Sequence, residues 1–204
     1  MDSGAQPATS DAGQPGRSKR GHGRVDAMIA LALVAGFVAW MVIERSGSDS
    51  AATTTSSTTG AADVTDGNGP VAVSATALSR LVANVGHPVY WAGPIAGHTT
   101  EFTRTSDGNV DVRYLPPGVV AGDPRSAFLL IATYPYPHAF RALKNVANGK
   151  QVKIPGGGIA FVDTGYPQSV HFAFPGVAYQ GEVYDPSARK SLAVATSGSL
   201  HPVP

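Results

Sequence analysis

Residues 99–115 read TTEFTRTSDGNVDVRYL, two alternating runs around Ser106-Asp107-Gly108. Alternation with a period of two is the mark of strands, and Asp-Gly between two such runs marks a hairpin. Two registers compete. A two-residue Asp107-Gly108 turn sets Phe102 against Arg113 and mixes apolar with charged residues on each face. A three-residue loop, with Gly108 left-handed in a bulge, sets Thr105 against Asn109 and Phe102 against Val112. Val110 and Tyr114 then share the face of Phe102, and Glu101 meets Arg113 on the other. A slip of one residue exchanges the faces, so the apolar pattern selects the three-residue loop. Glu101 and Arg113 then read as a surface cross-strand ion pair rather than a catalytic couple.

Outward from the hairpin, the segments keep alternating between short strands and short helices. On the N-terminal side, Ser74 is an N-cap signal. Leu78, Leu81, Val82 and Val85 fall on one helical face, Gly86 suits the position past the end, and Pro88 prevents continuation. PVYWA at 88–92 follows as a short strand. On the C-terminal side, Pro116-Pro117-Gly118 closes the hairpin, and AFLLIATY at 127–134 is apolar enough for a central strand. Residues 138–147 form a second amphipathic helix, and 158–163, 169–174 and 177–184 three further strands. Asp185-Pro186 resembles an N-cap followed by proline at the first helical position. SLAVATSG after it suits a last helix through Ala195 or another strand. The expected fold class is α+β: a mostly antiparallel sheet with two to three helices packed on one face.

This domain is expected to begin near residue 71 and to be preceded by three segments of different character. Residues 1–24 are polar, Gly- and Pro-containing and basic toward their end, a composition that cannot offset chain entropy by burial. Residues 27–43, AMIALALVAGFVAWMVI, carry no charge; at about 1.5 Å per residue they reach about 25 Å, close to a hydrocarbon core. With Val25 they are expected to form a single transmembrane helix over 25–43. Arg17, Lys19, Arg20 and Arg24 precede it, against Arg45 after it, which places the N-terminus in the cytoplasm and residues 71–204 outside. A cleaved signal peptide is the competing reading, with small residues at Ser46-Gly47-Ser48. Residues 44–70 are a Ser/Thr/Gly-rich linker with an average span of about 30 Å.

The composition excludes several chemistries. The chain has 204 residues, a formal net charge of +1 and no cysteine. Disulfides, thiolate metal sites, iron–sulfur clusters and a cysteine nucleophile are therefore absent, and no overall field attracts nucleic acid. Six histidines occur without helical i, i+4 pairing or an HExxH motif. His87, His98 and His138 with Glu101 are a conceivable metal or hydrolytic set; turn and surface histidines are the plainer reading. Gly156-Gly157-Gly158 lacks the lysine and the helix of a phosphate loop. Ser169 and His171 share a strand face and would need Asp163 or Glu182 as an orienting acid; a solvated face is the ordinary explanation. Aromatics beside rigid prolines suggest a groove, and Tyr90, Trp91, Tyr114, Tyr134 and Tyr136 are the candidate ligand-binding residues. No catalytic, metal or cofactor-binding residue is expected.

GHPVYWAGP, TRTSDGNVDVRYLPPG and VYDPSARKSLAVATSG resemble stretches of uncharacterised single-pass, membrane-anchored proteins of high-GC Gram-positive (actinobacterial) bacteria. The resemblance covers about residues 74–202. It implies export and a domain of this length, and it carries no activity. The expected function is an extracytoplasmic binding or interaction module, for cell-wall polymer or an envelope protein. A membrane-tethered hydrolase with a His/acid site is the alternative.

Overall fold

The computed structural model describes residues 69–147 and 149–204; the expected tail, anchor and nearly all of the linker lie outside them. The described chain is α+β, with three α-helices and a large antiparallel sheet. Its elements are β1 (Val71–Val73), α1 (Ala75–Ala83), β2 (Tyr90–Trp91), β3 (Thr99–Arg104), β4 (Val110–Leu115), β5 (Leu129–Pro135), α2 (Ala139–Asn145), β6 (Lys150–Ile154), β7 (Gly158–Val162), β8 (Ser169–Ala173), β9 (Tyr179–Tyr184), α3 (Ala188–Thr196) and β10 (His201–Pro202). Eight strands pair in the order β1-β3-β4-β5-β9-β8-β7-β6, and β10 pairs with β2 separately. Two meanders, β3-β4-β5 and β6-β7-β8-β9, are joined along β5 and β9. The apolar strand expected at 127–134 thus lies at the centre.

The hairpin adopts the three-residue loop. Thr105 N–H donates to the Asn109 carbonyl at 2.9 Å, Gly108 has φ 81°, and Phe102 pairs with Val112. Continuing that register across the sheet places Phe102, Val112, Ile131, Val183 and Val170 in one row on one face, called here the apolar face. α1 brings Leu78 onto this face, α3 brings Ala195, and the β2–β10 ribbon brings Tyr90 and Trp91, forming one continuous core. Ser74 caps α1 as expected, accepting from Ala77 N–H at 3.2 Å.

The helices do not all lie on one face. α2 packs Ala139 and Leu143 against Phe161 and Ala173, which alternate out of register with Ala160 and Phe172 and therefore point to the opposite side. The reason is the length of the link: β5 ends on Pro135 and α2 starts at Ala139. The left-handed His138, φ 68°, turns the chain down onto the nearer face. The last segment is a helix rather than a strand, but its N-cap is Ser187. Asp185 instead accepts from Ser187 N–H at 2.8 Å, one turn ahead of the helix. β6 and the two short strands β1 and β10 had no expectation in the sequence.

Glu101 and Arg113 are paired as the register requires, yet they are buried rather than on the surface. Arg113 Nη1 donates to Glu101 Oε1 at 2.8 Å, with the two side chains 4% and 0% exposed. The loop 116–128 folds over them. Arg113 Nη2 donates to the carbonyls of Asp123 (3.0 Å) and Arg125 (2.9 Å), and Gly122 N–H donates to Glu101 Oε2 at 2.7 Å. The guanidinium also lies 5.3 Å from the Phe128 ring centre.

Candidate binding site on the polar sheet face

The face opposite the main core is polar across the middle of the sheet. Its central row, read from the pairing register, is Thr103, Asp111, Ala132, Glu182, His171, Phe161. The next row sets Tyr134 against Gln180. Loop 116–128 covers one side of this face through Glu101 and Arg113, and α2 covers the other through Phe161 and Ala173. Between them Asp111, His171, Gln180 and Glu182 are buried, with Glu182 only 1% exposed. Tyr134, Tyr136 and Asp163 are half-buried at the rim.

Hydrogen bonding orients part of this group. Gln180 Nε2 donates to the Tyr134 hydroxyl at 2.6 Å, and that hydroxyl lies 3.3 Å from His171 Nδ1. A hydroxyl that accepts from the amide is left to donate to Nδ1, which leaves the imidazole hydrogen on Nε2. Burial lowers the His171 pKa, against the opposing pull of Glu182 and Asp163, so the ring is held toward neutrality. Burial likewise raises the Tyr134 pKa well above the ordinary phenol range, with Glu182 adding to the rise. Both groups are thus neutral donors or acceptors near pH 7. Neither Glu182 oxygen has a hydrogen-bond partner among the described residues, nor does Gln180 Oε1 or Thr103 Oγ1. An unpaired buried carboxylate is costly, at about 1–3 kcal/mol or more. Native chains keep such groups rarely, and often for function.

The five aromatic candidates do not form a single groove. Tyr90, Trp91 and Tyr114 belong to the main core, at 5%, 4% and 1% exposure. Tyr90 stacks on Phe174 with ring centres 5.2 Å apart and meets Phe172 edge-on. The Tyr114 hydroxyl accepts from Ala92 N–H at 2.8 Å, and burial pushes its pKa up to about 12. Tyr134 sits on the polar face, and Tyr136 packs beside α2. Tyr90 and Trp91 are β2 itself, paired with β10, and that pairing is invisible in the local pattern.

The histidines named from sequence stay apart in their roles. His87 stacks on Tyr179 with ring centres 4.4 Å apart, and its Nε2 reaches the Gly108 carbonyl at 3.1 Å. His98 Nδ1 lies 3.1 Å from the Ala96 carbonyl, and His138 begins α2. Glu101 is committed to Arg113. Among the described residues no group of three His, Asp or Glu side chains is arranged to hold a metal ion. The 155–157 segment is one turn of 3₁₀-helix between β6 and β7, followed by a strand. Ser169 and His171 do share a face, but it is buried rather than solvated, at 5% and 4% exposure. No hydrogen bond joins them among the described residues; His171 turns Nδ1 to Tyr134 instead.

Gln180, Glu182 and Thr103 were not singled out from sequence as site residues, Glu182 having entered only as an acid for His171. A signal for them exists: QGEVY at 180–184 alternates polar and apolar, and SVH at 169–171 does the same. Only the register shows that their polar positions meet. Comparison with family models, with curated proteins and with solved structures finds no match for the chain. Among the described residues no helix is long and apolar enough to cross a membrane; the expected span at 25–43 lies outside them.

Proposed function

We propose that the chain is a membrane-anchored display protein whose extracytoplasmic domain binds a ligand on the polar sheet face, with cell-wall polymer or an envelope protein as the expected partner. The observation that carries this reading is the set of buried, unpaired acceptors at Glu182 and Gln180, with Gln180 held by its bond to the Tyr134 hydroxyl. A sheet face kept only for packing would lose these acceptors to apolar residues at a gain in stability. The anchor at 25–43 and the linker at 44–70 would set the domain outside the membrane, within about 90 Å of it at full stretch. Binding needs no cofactor in this reading, and nucleic acid is not a partner.

The full-length protein tests it. Sedimentation with purified peptidoglycan, and cross-linking in intact cells, should each capture the wild type more strongly than a Glu182→Leu variant. Equal recovery of both would exclude this face. Protease added to intact cells should digest residues 71–204; protection until lysis would reverse the topology.

A hydrolase is the second reading, and one feature favours it: Glu182 lies directly across from His171. A His171→Asn variant that keeps binding but loses turnover of a wall fragment would establish it. Among the described residues His171 is bonded to Tyr134 and to no serine or threonine nucleophile, which makes binding the better account.

A further inference from the structure

We infer that the polar face takes a protonated primary amine, seated on Glu182 Oε1, Glu182 Oε2 and Gln180 Oε1. This rests on the reading of that face as a binding site and narrows it to one ligand chemistry.

The three acceptors stand on one strand. Gln180 and Glu182 are two residues apart on β9, so both side chains leave the same face, about 7 Å apart at the backbone. The Gln180 amide is oriented by its 2.6 Å bond to the Tyr134 hydroxyl, which turns the nitrogen toward Tyr134, and the oxygen is unpaired. Both Glu182 oxygens are unpaired as well. The strand therefore presents three unpaired acceptors on one face, and an ammonium group carries three donors. Ala132, the cross-strand neighbour of Glu182, contributes only a methyl group and no hydrogen-bonding side chain to compete for its carboxylate.

Charge points the same way. Arg113, two strands over and one row along on this face, is consumed by Glu101 and two carbonyls. His171 is held neutral by burial and Tyr134 is a neutral phenol. The buried charge of Glu182 thus has no counter-ion among the described residues, and a cation with N–H donors supplies both the charge and the hydrogen bonds. A hard metal ion fits less well, since it takes about six or more oxygen ligands and, among the described residues, no group of three His, Asp or Glu side chains could hold one. Tyr134, Tyr136 and Asp163 are only half-buried, so the solvent-reachable part of this face lies beside them.

One chemistry has two sources here: a free alkylamine, or an amine carried on a polymer. Calorimetric titration of the full-length protein in detergent, at pH 7, should use three probes. These are cadaverine, an oligomer of glucosamine, and the same oligomer fully N-acetylated. Saturable binding of an amine probe, with the N-acetylated oligomer at least tenfold weaker, supports the inference. Cadaverine alone binding indicates a small-molecule ligand; the glucosamine oligomer alone indicates a polymer-borne amine. Glu182→Gln should weaken amine binding at least tenfold and raise Tm by about 3 °C, because it removes an unpaired buried charge while keeping the shape. A lower Tm for that variant would mean Glu182 is a structural partner and would overturn the inference. So would equal binding of both oligomers. If peptidoglycan sediments the protein but no amine probe binds, the face is a binding site for another chemistry and this inference alone fails. If neither binds, the functional reading fails with it.

Discussion

Replacing Arg113 by methionine should unfold the molecule's middle more effectively than any surface substitution. Arg113 is 3% exposed and makes three hydrogen bonds: one to Glu101 and two that hold loop 116–128. Methionine matches the length and apolar volume of the stem, so packing changes little. What remains is Glu101, wholly buried, with Gly122 N–H as its surviving donor. Removing one partner of a buried ion pair costs about 3–5 kcal/mol, since the other charge is left without compensation. For a described domain of this length that corresponds to a Tm lowered by roughly 10–20 °C. Urea unfolding followed by tryptophan fluorescence measures it, because Trp91 is buried in the main core. The double variant Arg113→Met with Glu101→Leu should recover most of the loss, since burying two apolar groups is often neutral or favourable relative to a buried pair. A single variant that loses less than about 1 kcal/mol would refute the claim that this pair is desolvated, as would a double variant no better than the single.

Three further outcomes follow from the packing and the electrostatics. Gly181→Ala should destabilise by about 3 kcal/mol or more, because a Cβ there would enter the Phe172 ring that lies across β9; Phe172→Leu in the same chain should restore part of the loss in a urea titration. Lowering the pH from 7.5 to 5 should reduce stability in part through His171. Its folded pKa is depressed by burial, so the unfolded chain takes up the proton first, below about pH 6.5, and the loss continues until the folded value is passed. His171→Asn should flatten that part of the slope, and parallel pH profiles for the two proteins would contradict it. Tyr114→Phe should cost about 1–2 kcal/mol by leaving Ala92 N–H without its acceptor, and alkaline difference spectra should lose one tyrosine that ionises only near pH 12.

Much of the fold is legible in short stretches of the chain. The hairpin register follows from which residues alternate around Ser106-Asp107-Gly108, and Ser74, Gly86 and Pro88 delimit α1 well enough. These are local signals, and local backbone sterics and turn chemistry enforce them wherever the stretch is placed. β6 escaped notice because KQVKI alternates too weakly. β1 and β10 are only two or three residues long and exist by virtue of their partners, whereas the strand expected at 88–92 is present as β2.

The site was hidden for a related reason. Period two says that Ser169, His171 and Ala173 share a face, but not which layer covers it. A solvated face and a face beneath α2 and loop 116–128 have the same alternation. Glu101 and Arg113 carry the same lesson: the sequence by itself settled that they pair, while the tertiary structure decided that they pair out of water. The convergence of Glu182, Gln180, Tyr134 and His171 comes from three strands, β5, β9 and β8, whose order in the sheet does not follow their order in the chain. Strand order depends on long-range pairing, which balances loop entropy against burial over the whole domain. Residue pattern fixes the faces of each strand, and only the assembled sheet brings one face's polar groups into a single buried cluster.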